Sequence, residues 1–96
     1  MKHEYEIMVI VDNEADDAQI GAVVDRITAI ITERGGEVGG VDKMGRRRFA
    51  YEIDKKTEGY YLLITFTSEP PALTELERVL SLADEVVRFK VVRKAA

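Results

Sequence analysis

Cysteine is absent from this 96-residue chain, and so is tryptophan. Without cysteine there is no disulfide and no thiolate metal site, and a reducing compartment suits such a chain. Histidine occurs once, as His3 beside the amino terminus, where a solvated imidazole is the expected state. The longest apolar run, Ile7 to Val11, is far too short to span a bilayer, so no membrane partner is expected. No basic, apolar, small-residue leader opens the chain, and a cytoplasmic location is expected. Neither a G-x-x-x-x-G-K-[ST] loop nor a G-x-G-x-x-G turn occurs. The carboxylates at Asp16-Asp17 and Asp84-Glu85 sit where helix caps and turns are expected, so they read as local structure rather than an acid/base pair. The loop after the first strand, Asp12-Asn13-Glu14-Ala15-Asp16, would repel an acyl phosphate. No enzyme activity, small-molecule substrate, cofactor or metal is therefore expected.

What is present is an uneven distribution of charge. The net charge is −4, which taken alone argues against nucleic acid. From Asp12 to Glu33, however, there are six acids and one base, whereas Lys43 to Arg48 and Val86 to Lys94 carry four bases each and no acid. Screening confines each charge to roughly 8 Å in physiological salt, so a polarised surface can hold a polyanion despite an acidic total. Gly45-Arg46-Arg47-Arg48-Phe49-Ala50-Tyr51-Glu52-Ile53 is the densest part. Read as a strand, it points Arg47, Phe49, Tyr51 and Ile53 one way and Arg46, Arg48, Ala50 and Glu52 the other. The plain reading is a solvated basic hairpin arm. The functional one uses the planar guanidinium fork on phosphate.

Periodicity outlines the fold. A β-branched strand is expected over Tyr5–Val11, and a helix from about Asp16 to Arg34. In that helix Ile20, Val23, Val24, Ile27, Ile30 and Ile31 make one apolar stripe, and Gly35-Gly36 ends it. A long strand over Glu37–Ile53 should bend or bulge near Gly39-Gly40 or Gly45. A charged turn over Asp54–Gly59 and a strand over Tyr60–Thr67 follow. Pro70-Pro71 opens a second helix with the stripe Leu73, Leu76, Leu80 and Ala83, and the last strand covers Val86–Arg93. This β-α-β-β-α-β order implies one α+β domain over residues 1–96, a ferredoxin-like sandwich with two helices on one face of a four-stranded antiparallel sheet. Its first and third strands are expected as parallel neighbours in the centre.

Two helices leave the second sheet face open. Leu62, Ile64 and Phe66 should meet the helices, with Val87, Phe89 and Val91 of the last strand. Met8, Ile10, Tyr61 and Leu63 should form an apolar patch on the other side, edged by Arg88 and Lys90. Sheet twist and the hairpin could instead shield Met8 and Leu63. An RNA-recognition module of this topology would stack bases on aromatics of its third strand. Here Leu62 and Thr65 occupy the two aromatic sites, so base stacking is not expected.

In these residues the chain resembles the bacterial small-subunit ribosomal protein family numbered six, over nearly its whole length. Tyr5–Val11 is similar to that family's opening strand, and Gly35-Gly36-Glu37-Val38 to its helix exit. Gly45, Arg47, Ala50, Tyr51 and Ile53 match the family pattern of glycine, any residue, a base, a variable residue, Leu, Ala, Tyr, any residue, Ile. Phe49 stands for the usual Leu, at a core position. Asp54 stands where a basic or small residue is frequent. Gly59-Tyr60-Tyr61 and Val87–Arg93 also fit. The resemblance implies a structural, ribosome-associated protein of the small-subunit platform that binds the central domain of 16S rRNA together with the eighteenth small-subunit protein. On that basis Arg46, Arg47, Arg48, Arg88 and Arg93, then Lys90, Lys94 and Lys2, are the candidates for RNA contact. Met8, Tyr51, Tyr61 and Leu63 are the candidates for the protein partner. The alternative is a small regulatory domain that dimerises through its sheet and binds a metabolite.

Overall fold

The computed structural model describes residues 2–53 and 55–94. Six elements follow in order: β1 (His3–Asp12), α1 (Asp17–Glu33), β2 (Glu37–Ile53), β3 (Lys56–Ser68), α2 (Pro71–Leu82) and β4 (Val86–Arg93). The sheet order is β2-β3-β1-β4, with every neighbouring pair antiparallel. The expected central neighbours β1 and β3 are found, but they run antiparallel rather than parallel. The α1 connection returns the chain so that β2 runs with β1, and the β2–β3 hairpin then reverses it, so β3 opposes both.

α1 begins at a capping box. The Asp16 carboxylate accepts from the Gln19 amide at 2.8 Å, and the Gln19 side chain accepts from the Asp16 amide at 3.0 Å. The helix ends in a Schellman pair, with the Gly36 amide donating to the Ile31 carbonyl and the Gly35 amide to that of Thr32. Ile20, Val23, Ile27, Ile30 and Ile31 are buried, as their spacing requires. α2 ends one residue short of Ala83, which is its extended C-cap, and its buried side chains are Ala72, Leu76 and Leu80. Both helices cover the side of the sheet carrying Ile7, Val9, Val11, Leu62, Ile64 and Phe66, all 1% exposed or less. Each such side chain contributes about 1.5–3 kcal/mol of burial.

One difference follows from a bulge. The register of β4 on β1 slips between Ile10 and Val11, so Val86, Phe89 and Val91 pack on the core, with Val86 in the place expected for Val87. β2 slips at Val38/Gly40 and Lys43/Gly45, the two expected glycine sites. Gly45 has φ +90°, a conformation that side-chain-bearing residues rarely adopt. The turn after β2 is tighter than expected, because Lys56–Gly59 belong to β3 and Ile53 pairs with Lys56. Asp54 lies outside the described residues.

The last register match between β1 and β3 is Asp12 with Gly59. Beyond it, β2 from Arg48 and β3 up to Glu58 project as a two-stranded arm, with Arg46 and Arg47 at its base. An isolated two-stranded ribbon is marginal in water, so the arm depends on what grips it.

Candidate nucleic-acid and partner interface

The face away from the helices is built from even-numbered residues of β1 and their partners. Directly paired residues share a face. Two rows across the sheet therefore read Asp42–Leu63–Met8–Lys90 and Gly45–Tyr61–Ile10–Arg88. An apolar centre lies between an acid on the β2 side and two bases on the β4 side. Met8, Ile10, Leu63 and Val92, with Arg88 and Lys90, line a shallow depression of about 390 Å³. Glu6 and Glu4 continue this face toward the opposite end of β1.

Part of the apolar face is covered by the chain itself. Phe49 is 8% exposed and Ile10 7%. Phe49 does not join the helix-side core. Its ring lies 6.3 Å from that of Tyr61, and it closes over Gly59. Gly59 makes this possible, since a Cβ there would fall 2.6 Å from Ile10 Cγ2 and 2.9 Å from Phe49 Cζ. The expected core position of Phe49 is thus a shielded one, but on the open face. The hairpin shields Ile10 while Met8 and Leu63 stay half-buried.

The arginines divide between the faces as alternation demands. Arg47 pairs with Gly59 and takes the open face, beside Tyr61 and Phe49. Arg46 pairs with Tyr60 on the helix side, its guanidinium 5.5 Å from the Tyr60 ring centroid. It donates from Nε to the Asn13 carbonyl at 3.0 Å and from Nη2 to the Ala15 carbonyl at 2.7 Å. Arg48 approaches Glu58 at 3.9 Å while staying largely exposed. This answers the repulsion inherent in three consecutive cations: each meets different surroundings. Past Arg48 the register slips again, so strict alternation does not carry to Tyr51, which is 70% exposed near the tip of the arm.

On β4, Arg88 and Lys90 are exposed on the open face. Arg93 pairs with Tyr5 on the other face and shares a 2.8 Å contact between its Nη2 and His3 Nδ1. Lys94 lies 3.7 Å from Glu6, and Lys2 is exposed. The structure therefore groups Arg47, Arg88 and Lys90 with Met8, Leu63 and Tyr61 on one surface. It sets Arg46, Arg48 and Arg93 apart from them.

Sequence reasoning missed the loop after β1 as a structural partner of the arm. The Lys56 ammonium donates to Asp12 at 2.6 Å, and Asn13 Nδ2 donates to Glu58 at 3.2 Å. The Lys56 hydrogen bond, helped by the Glu14 amide, holds the Asp12 carboxyl below its usual range. No periodic signal marks these pairs, because they join residues more than forty positions apart. Among the described residues, no group of three or more His, Asp or Glu is placed to hold a metal ion. No helix among them is long and apolar enough to cross a membrane.

The sequence model of the family described as Ribosomal protein S6 matches residues 4–93. The chain belongs to the ribosomal protein S6 family. Small ribosomal subunit protein bS6 of Desulforamulus reducens is 40% identical over 90 residues, covering 94% of this chain and 95% of the relative. The bS6 protein of Salinispora arenicola is 47% identical over 93 residues, covering 97% and 96%. The crystal structure of 30S ribosomal protein S6 from Thermotoga maritima superposes with a TM-score of 0.90 at 35% identity, covering 98% of this chain and 89% of that one. The S6 family is a structural, non-enzymatic component of the small ribosomal subunit, which makes this chain a cytoplasmic, ribosome-associated protein of translation.

Proposed function

We propose that this chain acts as a single domain that binds the central domain of 16S rRNA jointly with the eighteenth small-subunit protein. The observation that carries this reading is the open face itself. It combines a half-buried apolar centre at Met8 and Leu63 with Arg88, Lys90 and Arg47 at its margins. An apolar centre suits a protein partner, and marginal cations suit phosphate. Met8, Leu63 and Tyr61, with Tyr51 at the arm, are assigned to the partner. Arg47, Arg88 and Lys90 are assigned to rRNA, with Arg48, Arg93, Lys94 and Lys2 as outlying phosphate contacts.

The acidic α1 surface opposes RNA approach, so binding by the isolated chain should be weak. A partner covering the apolar face adds its own cations and fixes the orientation of β4 and the arm. Family membership leaves the metabolite-binding regulatory domain without an observation in its favour. The test is incorporation: tagged protein added to small subunits lacking this component should cosediment with them, and Leu63→Glu should reduce that uptake. Uptake of wild type that Leu63→Glu and Arg88→Ala together leave unchanged would remove this surface from the interface.

A further inference from the structure

The two-stranded arm from Arg48 to Glu58 lies beyond the end of β1, yet its base at Arg46 and Arg47 is held from both sides. On the open face Phe49 packs across Gly59 onto Ile10 and Tyr61. On the other face the β1–α1 loop grips it through polar contacts. Arg46 ties two loop carbonyls, Lys56 ties Asp12, and Glu58 takes Asn13. Asp12 is itself locked, since its other oxygen accepts the Glu14 amide at 2.9 Å. Arg46 reaches back with both Nε and Nη2 and lies over the Tyr60 ring, so these two donors serve the fold rather than an external phosphate.

We infer that Arg46 and Asp12 are positioning residues, forming with the β1–α1 loop a clasp that holds the arm in the pose in which Arg47 and Tyr51 meet the ribosomal partner surface. This rests on the rRNA reading above, and it gives Arg46, a candidate for direct RNA contact in the sequence, a positioning role instead. The physical reason is preorganisation. A ribbon ordered before binding does not lose its conformational freedom on binding. The acidic loop gains a role as well: its carboxylate and carbonyl oxygens balance the arm's cations from within.

The test compares Arg46→Ala, Asp12→Asn and Arg47→Ala, each bound to a 16S central-domain fragment with the eighteenth protein at several salt concentrations. Amide exchange is followed in parallel across Arg47–Ile53 and Lys55–Glu58. Arg46→Ala should speed arm exchange and weaken binding on the order of tenfold, with an unchanged salt slope. Arg47→Ala should lower the slope by about one and leave arm exchange unchanged. Asp12→Asn is the sharpest variant. It removes a negative charge, so simple electrostatics favours tighter RNA binding, whereas loss of the clasp weakens it. Tighter or unchanged binding by Asp12→Asn overturns the inference, as does a lowered salt slope in Arg46→Ala. If wild type fails to bind, the rRNA reading itself has failed, while the exchange data still report whether the clasp orders the arm.

Discussion

Replacing Leu63 and Ile64 in turn by glutamate tests the two faces of β3 at adjacent positions. Ile64 is fully buried, opposite Ile7 on one side and Val41 on the other. Losing that side chain costs about 2–3 kcal/mol of burial. Placing a carboxylate there costs several kcal/mol more, or forces it to stay protonated. A domain of this size has on the order of 5–14 kcal/mol of stability in total. Ile64→Glu should therefore leave the domain unfolded or nearly so. Leu63 is half-buried on the open face, directly opposite Asp42. Its replacement by Glu should cost about 1 kcal/mol of burial, plus roughly 0.2–1 kcal/mol for facing a like charge. The melting temperature should fall by roughly 5–15 °C. Leu63→Lys, which faces Asp42 with the opposite charge, should melt above Leu63→Glu. Thermal melts followed by circular dichroism decide it. Equal collapse of both glutamate variants would refute the face assignment.

Three further outcomes follow from local geometry. Lys56 depresses the Asp12 carboxyl in the folded state, so its stabilisation is fully present above the ordinary carboxylate range near 3.8 and fades as pH falls through the lower folded value. Urea midpoints of wild type should drop through that acid range, and Asp12→Asn should be less stable at neutral pH but flatter below about pH 4; parallel pH curves would contradict this. Gly59→Ala should destabilise by about 1–3 kcal/mol through the Ile10 and Phe49 clashes, and Phe49→Leu should recover part of that loss; additive losses in the double variant would show that the two sites do not touch. Asp16→Ala should cost about 1 kcal/mol of the α1 cap, read from urea unfolding, and Asp16→Asn much less; equal loss in both would assign the effect to charge rather than capping.

Periodicity carried the fold well where one face of an element is buried. The α1 stripe and the alternation Leu62, Ile64, Phe66 leave a single register, since a one-residue slip would expose every side chain. It failed where the ladder slips. The Ile10/Val11 bulge exchanged Val86 for Val87, and the slip beyond Arg48 ended the alternation before Tyr51. Strand direction was misjudged because β1 and β3 were read as the parallel pair, when the hairpin between β2 and β3 requires the reverse. Of the candidate contacts, Met8, Leu63, Arg88 and Lys90 were placed on the open face by parity alone. Alternation puts Arg46 and Arg47 on opposite faces, but leaves both as candidates for RNA contact. What separates them is the β1–α1 loop, whose carbonyls lie within reach of Arg46 only after the chain has folded.

In the proposed function, a chain of net charge −4 binds rRNA through a face completed by a protein partner. The direct measurement titrates a 16S central-domain fragment with this protein alone, with the eighteenth protein alone, and with both, at several salt concentrations. Binding should be weak alone, with coupling on the order of 1–3 kcal/mol or more when both are present. Arg88→Ala and Arg47→Ala should each reduce the salt slope of the joint complex. Leu63→Glu should remove the coupling and leave the fold intact. Tight binding by this chain alone, or coupling that survives both Leu63→Glu and the arginine replacements, would contradict the account.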